Sequence, residues 1–162
     1  MPLEQRDKEL AAIGASIGAN CRPCIEHHLA AGREAGLSPA ELDDAVSTAH
    51  ALRVQAVDLL AARIDELLGH GGPPPEPTAI APTSKAYALI ALGVSVGANS
   101  HVLLRVHVGS ALDAGLEVHE VKSALKMAGY VQQNAAAITA DEVTRVLAER
   151  VGAAPGVAAA AR

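Results

Sequence analysis

Residues 13–42 read IGASIGANCRPCIEHHLAAGREAGLSPAEL, and residues 92–121 read LGVSVGANSHVLLRVHVGSALDAGLEVHEV, an offset of 79 positions. Gly14, Ser16, Gly18, Ala19, Asn20, His28, Ala35, Gly36, Leu37 and Glu41 recur as Gly93, Ser95, Gly97, Ala98, Asn99, His107, Ala114, Gly115, Leu116 and Glu120. Ten identities in one register, with the unusual GAN and AGL strings among them, mark an internal duplication. The copies are separated by GHGGPPPEPTAIAPTS, residues 69–84, whose Gly and Pro cannot continue a helix. The organisation that follows is a first repeat over 1–68, a linker over 69–84, a second repeat over 85–152 and a disordered tail over 153–162, with the repeats packed as one domain.

Both copies read as helical. Leu3, Leu10, Ile13 and Ile17 recur at helical spacing and predict a helix over 3–17. Gly18-Ala19-Asn20 ends it, with Asn20 expected as N-cap of a second helix that starts at Cys21 and stops at Gly36. Ser38-Pro39-Ala40-Glu41 combines a capping box with Pro in the first turn and opens a long helix to about Leu68. The second copy predicts helices over 84–97, 100–114 and 117–132, with a further one starting at Thr139 and Glu142. No run sustains period-2 alternation, so the fold class is all-α.

Composition narrows the function. Half of the 162 residues are hydrophobic, yet Phe and Trp are absent and only Tyr87 and Tyr130 are aromatic, so Ala, Leu, Val and Ile build the interior. A net charge of −5 with interspersed signs offers neither a basic patch for phosphates nor aromatic stacking platforms, which argues against nucleic acid. The charged N-terminus, MPLEQRDKEL, lacks a signal-peptide core, and no stretch approaches the roughly 20 apolar residues of a membrane span. A cytoplasmic location is expected. In that reducing compartment two cysteines three apart suggest catalysis or metal binding more than a structural staple.

Cys21 and Cys24 fall at the start of the second helix, where free N–H groups and the helix dipole favour a thiolate. His28, four residues after Cys24, shares its face. If the first two helices form a hairpin, Glu9 and His28 lie at similar depth, roughly 14–16 Å and 12 Å from the turn. A carboxylate holding an imidazole that takes a proton from a thiol is the logic of an activated nucleophile. The second copy carries Ala88, Ser100 and Leu103 in place of Glu9, Cys21 and Cys24, keeps only His107, and is expected to act as a structural partner.

The pattern Glu9, eleven residues, Cys21-Arg22-Pro23-Cys24, three residues, His28 resembles the E-x11-C-x2-C-x3-H signature of alkylhydroperoxidase D-like proteins in the carboxymuconolactone decarboxylase family. The resemblance covers about residues 5–65 and extends weakly over the second repeat. It implies an all-helical fold, thiol-dependent reduction of peroxides, and trimers of duplicated chains or hexamers of single units. It also implies that Cys24 is the peroxidatic thiol and Cys21 its resolving partner, exposed to the reductant, with Glu9 and His28 as proton relay. The implied partners are a peroxide and an external dithiol, thioredoxin-like or lipoyl; no cofactor is implied. Two departures stand out: Pro23 occupies a position where a His is often found, and the intact motif lies in the first repeat rather than the second.

Other readings compete. Cys21, Cys24 and His28, with Glu9 or His27, are ligand types that suit zinc, although three ligands within eight residues of one helix cannot easily surround a metal. The thiols could also be small buried hydrophobes, and Glu9, within EQRDKE, part of a solvated face. In function, a lactone decarboxylase and a non-enzymatic redox-sensing scaffold stand beside the peroxidase.

Overall fold

A computed structural model describes residues 3–77 and 84–152. The tail over 153–162 and linker residues 78–83 lie outside the described residues. The described residues form six helices: α1 (Gln5–Gly18), α2 (Arg22–Glu34), α3 (Pro39–Leu67), α4 (Lys85–Gly97), α5 (His101–Asp113) and α6 (Val118–Gly152). No strand occurs among the described residues, so the chain is all-α as expected.

The centre of the fold is the pairing of α1 with α4, with α3 and α6 packed against both, α2 against α1 and α5 against α4. Their approach is set by glycine. A Cβ on Gly14, Gly93 or Gly97 would run into the backbone of Ile90, Ala11 or Ala15, and one on Gly18 would lie 2.7 Å from the Val94 carbonyl oxygen. Gly14 with Gly18 and Gly93 with Gly97 thus let two helix backbones touch. Around this contact Leu10, Ile13, Leu89, Ile90, Leu92 and Val94 form an almost fully buried core that needs no aromatic ring.

The two halves repeat their local geometry at the offset of 79. Asn20 and Asn99 both take a left-handed φ, 55° and 53°, which Asn tolerates better than most residues. Gly36 and Gly115 do the same at 88° and 91°. Arg6 pairs with Glu41 as Lys85 pairs with Glu120, and Arg53 donates to the Ile17 carbonyl as Gln132 donates to that of Val96.

Two expected boundaries move. Asn20 does not cap α2. It closes α1, with Asn20 N–H bonded to Ile17 O and Cys21 N–H to Ser16 O, a Schellman arrangement, and Cys21 itself becomes the N-cap of α2. The helix expected to start afresh at Thr139 is instead the continuation of one 35-residue α6. Thr139 turns its hydroxyl back to the Ala135 carbonyl, 2.9 Å away, and so does not act as a cap. The Ser38–Glu41 capping box forms in both directions and opens α3 after Gly36, as the sequence predicts.

Candidate functional site

The site is built where α1 turns into α2. Because Cys21 is both the residue that seals α1 and the N-cap of α2, its position is fixed from two sides. Its sulfur accepts the Cys24 backbone N–H at 3.3 Å. Pro23 sits in the first turn of α2, where its missing N–H costs no intrahelical bond. Cys21 and Cys24 are joined as a disulfide, with Cα atoms 5.2 Å apart. Both are buried, and Ala12, Ala15, Ala128, Val131 and Ala135 pack around them from α1 and α6.

His28, one turn beyond Cys24, meets Glu9 from α1, its Nδ1 lying 2.8 Å from Glu9 Oε2. The hairpin geometry read from the sequence therefore brings these two together. Glu9 is 3% exposed and so is not part of a solvated face. Burial alone would raise its carboxyl pKa, but the hydrogen bond and charge of His28, with a further hydrogen bond from Gln5, hold it below the usual value. An ionised carboxylate can only accept, so Nδ1–H of His28 donates to it, leaving Nε2 as the basic nitrogen of the neutral ring.

Gln5 was not singled out by the sequence reading. Its Nε2 donates to Glu9 Oε1 at 2.6 Å, and the signal was present: it lies four residues before Glu9 on the same helix face. Arg53 was missed as well. Its Nη1 donates to Ile17 O at 3.0 Å and Asn20 Oδ1 at 2.8 Å, tying α3 to the turn that carries Cys21. Its repeat counterpart Gln132 could have been found by extending the register of 79 beyond residue 42.

The degenerate half provides a contrast within one chain. His107, equivalent to His28, is buried, and Ala88 stands at the position equivalent to Glu9. Its Nδ1 pairs instead with Ser95 Oγ at 3.0 Å, while that hydroxyl donates to Ala91 O, and its Nε2 has no hydrogen-bond partner. Burial pushes this imidazole pKa down, against a smaller opposing effect of the Ala91 carbonyl. His107 thus packs beside a hydroxyl, whereas His28 is held by a buried carboxylate.

Two clefts reach the disulfide. One, of about 600 Å³, lies between α1, α2 and α3 and includes Cys21 with Ile17, Ile25, Arg53 and Val57. The other, of about 240 Å³, lies between α2 and α6 and includes Cys24, His28, Asn134 and Ile138. Among the described residues no group of three or more His, Cys, Asp or Glu side chains is placed to hold a metal ion, and no helix is long and apolar enough to cross a membrane.

Residues 2–66 match the model of the carboxymuconolactone decarboxylase family. The matched segment spans α1, α2 and nearly all of α3, and contains Glu9, Cys21, Cys24 and His28. No curated protein and no solved structure matches the chain.

Proposed function

We propose, from the membership of residues 2–66 in the carboxymuconolactone decarboxylase family, that the chain is a peroxide-reducing dithiol oxidoreductase of the alkylhydroperoxidase D-like type. The observation that carries this reading is the buried Glu9–His28 pair one helical turn from a cysteine pair able to close a disulfide.

In the reduced protein His28 Nε2 takes the proton of the Cys24 thiol, and the thiolate attacks the outer oxygen of a hydroperoxide. The O–O bond breaks, the alkoxide takes the proton back from His28, and Cys24 becomes a sulfenic acid. Cys21 then attacks the Cys24 sulfur, water leaves, and the disulfide forms. An external dithiol reverses the oxidation by supplying two electrons and two protons. Glu9 acts through His28, holding the tautomer and offsetting the imidazolium charge.

Stopped-flow consumption of an organic hydroperoxide tests the reading. Activity that needs a dithiol reductant and is lost in Cys24→Ser supports it; an unchanged rate in that variant rules it out. A lactone decarboxylase would instead release carbon dioxide from a carboxymuconolactone. A redox sensor would show a titratable disulfide with negligible peroxide turnover. Exposed Leu60, Ile64 and Leu67 on α3 and Val143, Leu147 and Val151 on α6 support assembly of several copies, a trimer being the form the resemblance implies. Sedimentation velocity measures that directly.

A further inference from the structure

The two sulfurs of the disulfide open in different directions. The cleft that contains Cys21 does not include Cys24, and the cleft that contains Cys24 and His28 does not include Cys21. The Cys21 side is the larger, walled by the apolar Ile17, Ile25, Val54 and Val57, with Arg53 held by the α1–α2 turn. The Cys24 side is smaller and takes one wall, Val131, Asn134 and Ile138, from α6 of the second repeat.

We propose that the two half-reactions are served from separate clefts: the reducing dithiol enters at Cys21 between α1, α2 and α3, and the hydroperoxide at Cys24 between α2 and α6. The assignment rests on the peroxidase reading above, which supplies the roles of the two sulfurs, and adds that each is approached through its own cleft. Thiol–disulfide exchange depends on which sulfur is attacked and how well the other leaves. A thiolate of the reductant coming through the larger cleft bonds to Cys21 Sγ and expels Cys24 as thiolate on the side of His28, whose Nε2 relays to it the proton given up by the reductant's first thiol. The second thiol of the reductant then attacks the reductant's own sulfur, closing its disulfide and expelling the Cys21 thiolate. That thiolate accepts the Cys24 backbone N–H and takes up the proton released by the reductant. Two electrons and two protons pass to the cysteine pair. The second repeat, without chemistry of its own, shapes the oxidant's cleft.

Val57 and Ile138 are 56% and 38% exposed, so Val57→Trp and Ile138→Trp obstruct one cleft each without entering the core. Val57→Trp is expected to slow reduction of the disulfide by dithiothreitol about tenfold while leaving oxidation of the reduced protein by cumene hydroperoxide unchanged. Ile138→Trp is expected to do the converse. The proposal is overturned if both substitutions slow the same half-reaction, if either slows both, or if neither slows any. A second readout does not depend on peroxide: iodoacetamide alkylation of the reduced proteins, mapped by mass spectrometry. Val57→Trp should protect Cys21 alone and Ile138→Trp Cys24 alone; protection of both by one variant overturns the separation of clefts. If the two variants alkylate in this pattern yet wild-type protein ignores peroxide, the peroxidase reading fails and the two-cleft geometry stands.

Discussion

Gly93 meets the backbone of Ala11 so closely that the position has no room for a side-chain carbon. The same holds where Gly97 faces Ala15, so the α1–α4 crossing is fixed by backbone contact. Gly97→Ala must push the helices apart, and overpacking of this kind costs about 1–3 kcal/mol or more. Gly109, exposed on α5 with open space around it, is the control, and Gly109→Ala should gain about 0.5–1 kcal/mol from helix propensity. Urea unfolding of both variants measures the difference.

Glu9→Gln keeps the volume and removes the charge that holds His28. Positioned proton transfer contributes about 10²–10⁴-fold, and loss of its orienting carboxylate is expected to lower the rate of Cys24 oxidation at least tenfold. Gln5→Ala removes only the outer hydrogen bond and should have a smaller effect of the same sign. Single-turnover oxidation by cumene hydroperoxide reads both. A Glu9→Gln rate equal to wild type would remove the relay from the mechanism.

Acid stability is expected to depend on Glu41. Hydrogen bonds from Arg6, then from the Ser38 backbone and hydroxyl, pull its pKa from the ordinary 4.5 to about 2. A carboxylate depressed in the folded state binds fewer protons there than in the unfolded chain. Its stabilising contribution is therefore complete above the ordinary value and is lost as pH falls toward about 2. Thermal unfolding across that interval should fall less steeply in Glu41→Gln, which keeps the capping box but loses the Arg6 ion pair and starts from a lower Tm.

His107 gives a dependence of the same sign, nearer neutrality. Its folded pKa is lowered by burial, so the unfolded chain takes up a proton first as pH drops below the ordinary 6.5. Stability should decline over that range with a slope of at most about 1.4 kcal/mol per pH unit from this group. His107→Leu should flatten that part of the profile, measured by urea unfolding between neutral and mildly acid pH. The slope persisting in the variant would assign it to another group.

Much of this was legible in the sequence because it rests on local rules. The stop at Gly36, the Ser38–Glu41 capping box and the hairpin that brings Glu9 to His28 all follow from residue type and spacing. The errors occur where a side chain had two partners to choose from. Asn20 closes the helix behind it rather than capping the one ahead, and Thr139 bonds back to Ala135 rather than starting a turn. What spacing could not reveal was long-range: Arg53 reaching the α1–α2 turn from α3, and α6 crossing from the second repeat to wall the Cys24 cleft. Those contacts depend on the angle at which the helices meet, which the glycines permit but a linear pattern does not encode.

The vacated half has an experimental consequence. Ser100 caps α5 with its hydroxyl at the position that the Cys21 sulfur occupies on α2, and a hollow of about 240 Å³ lies between it and α3. Every molecule thus carries a blank alongside its sample: same turn, same register, no thiol and no carboxylate. A probe or inhibitor that reports on both hollows is responding to shape, and one that distinguishes them is responding to sulfur.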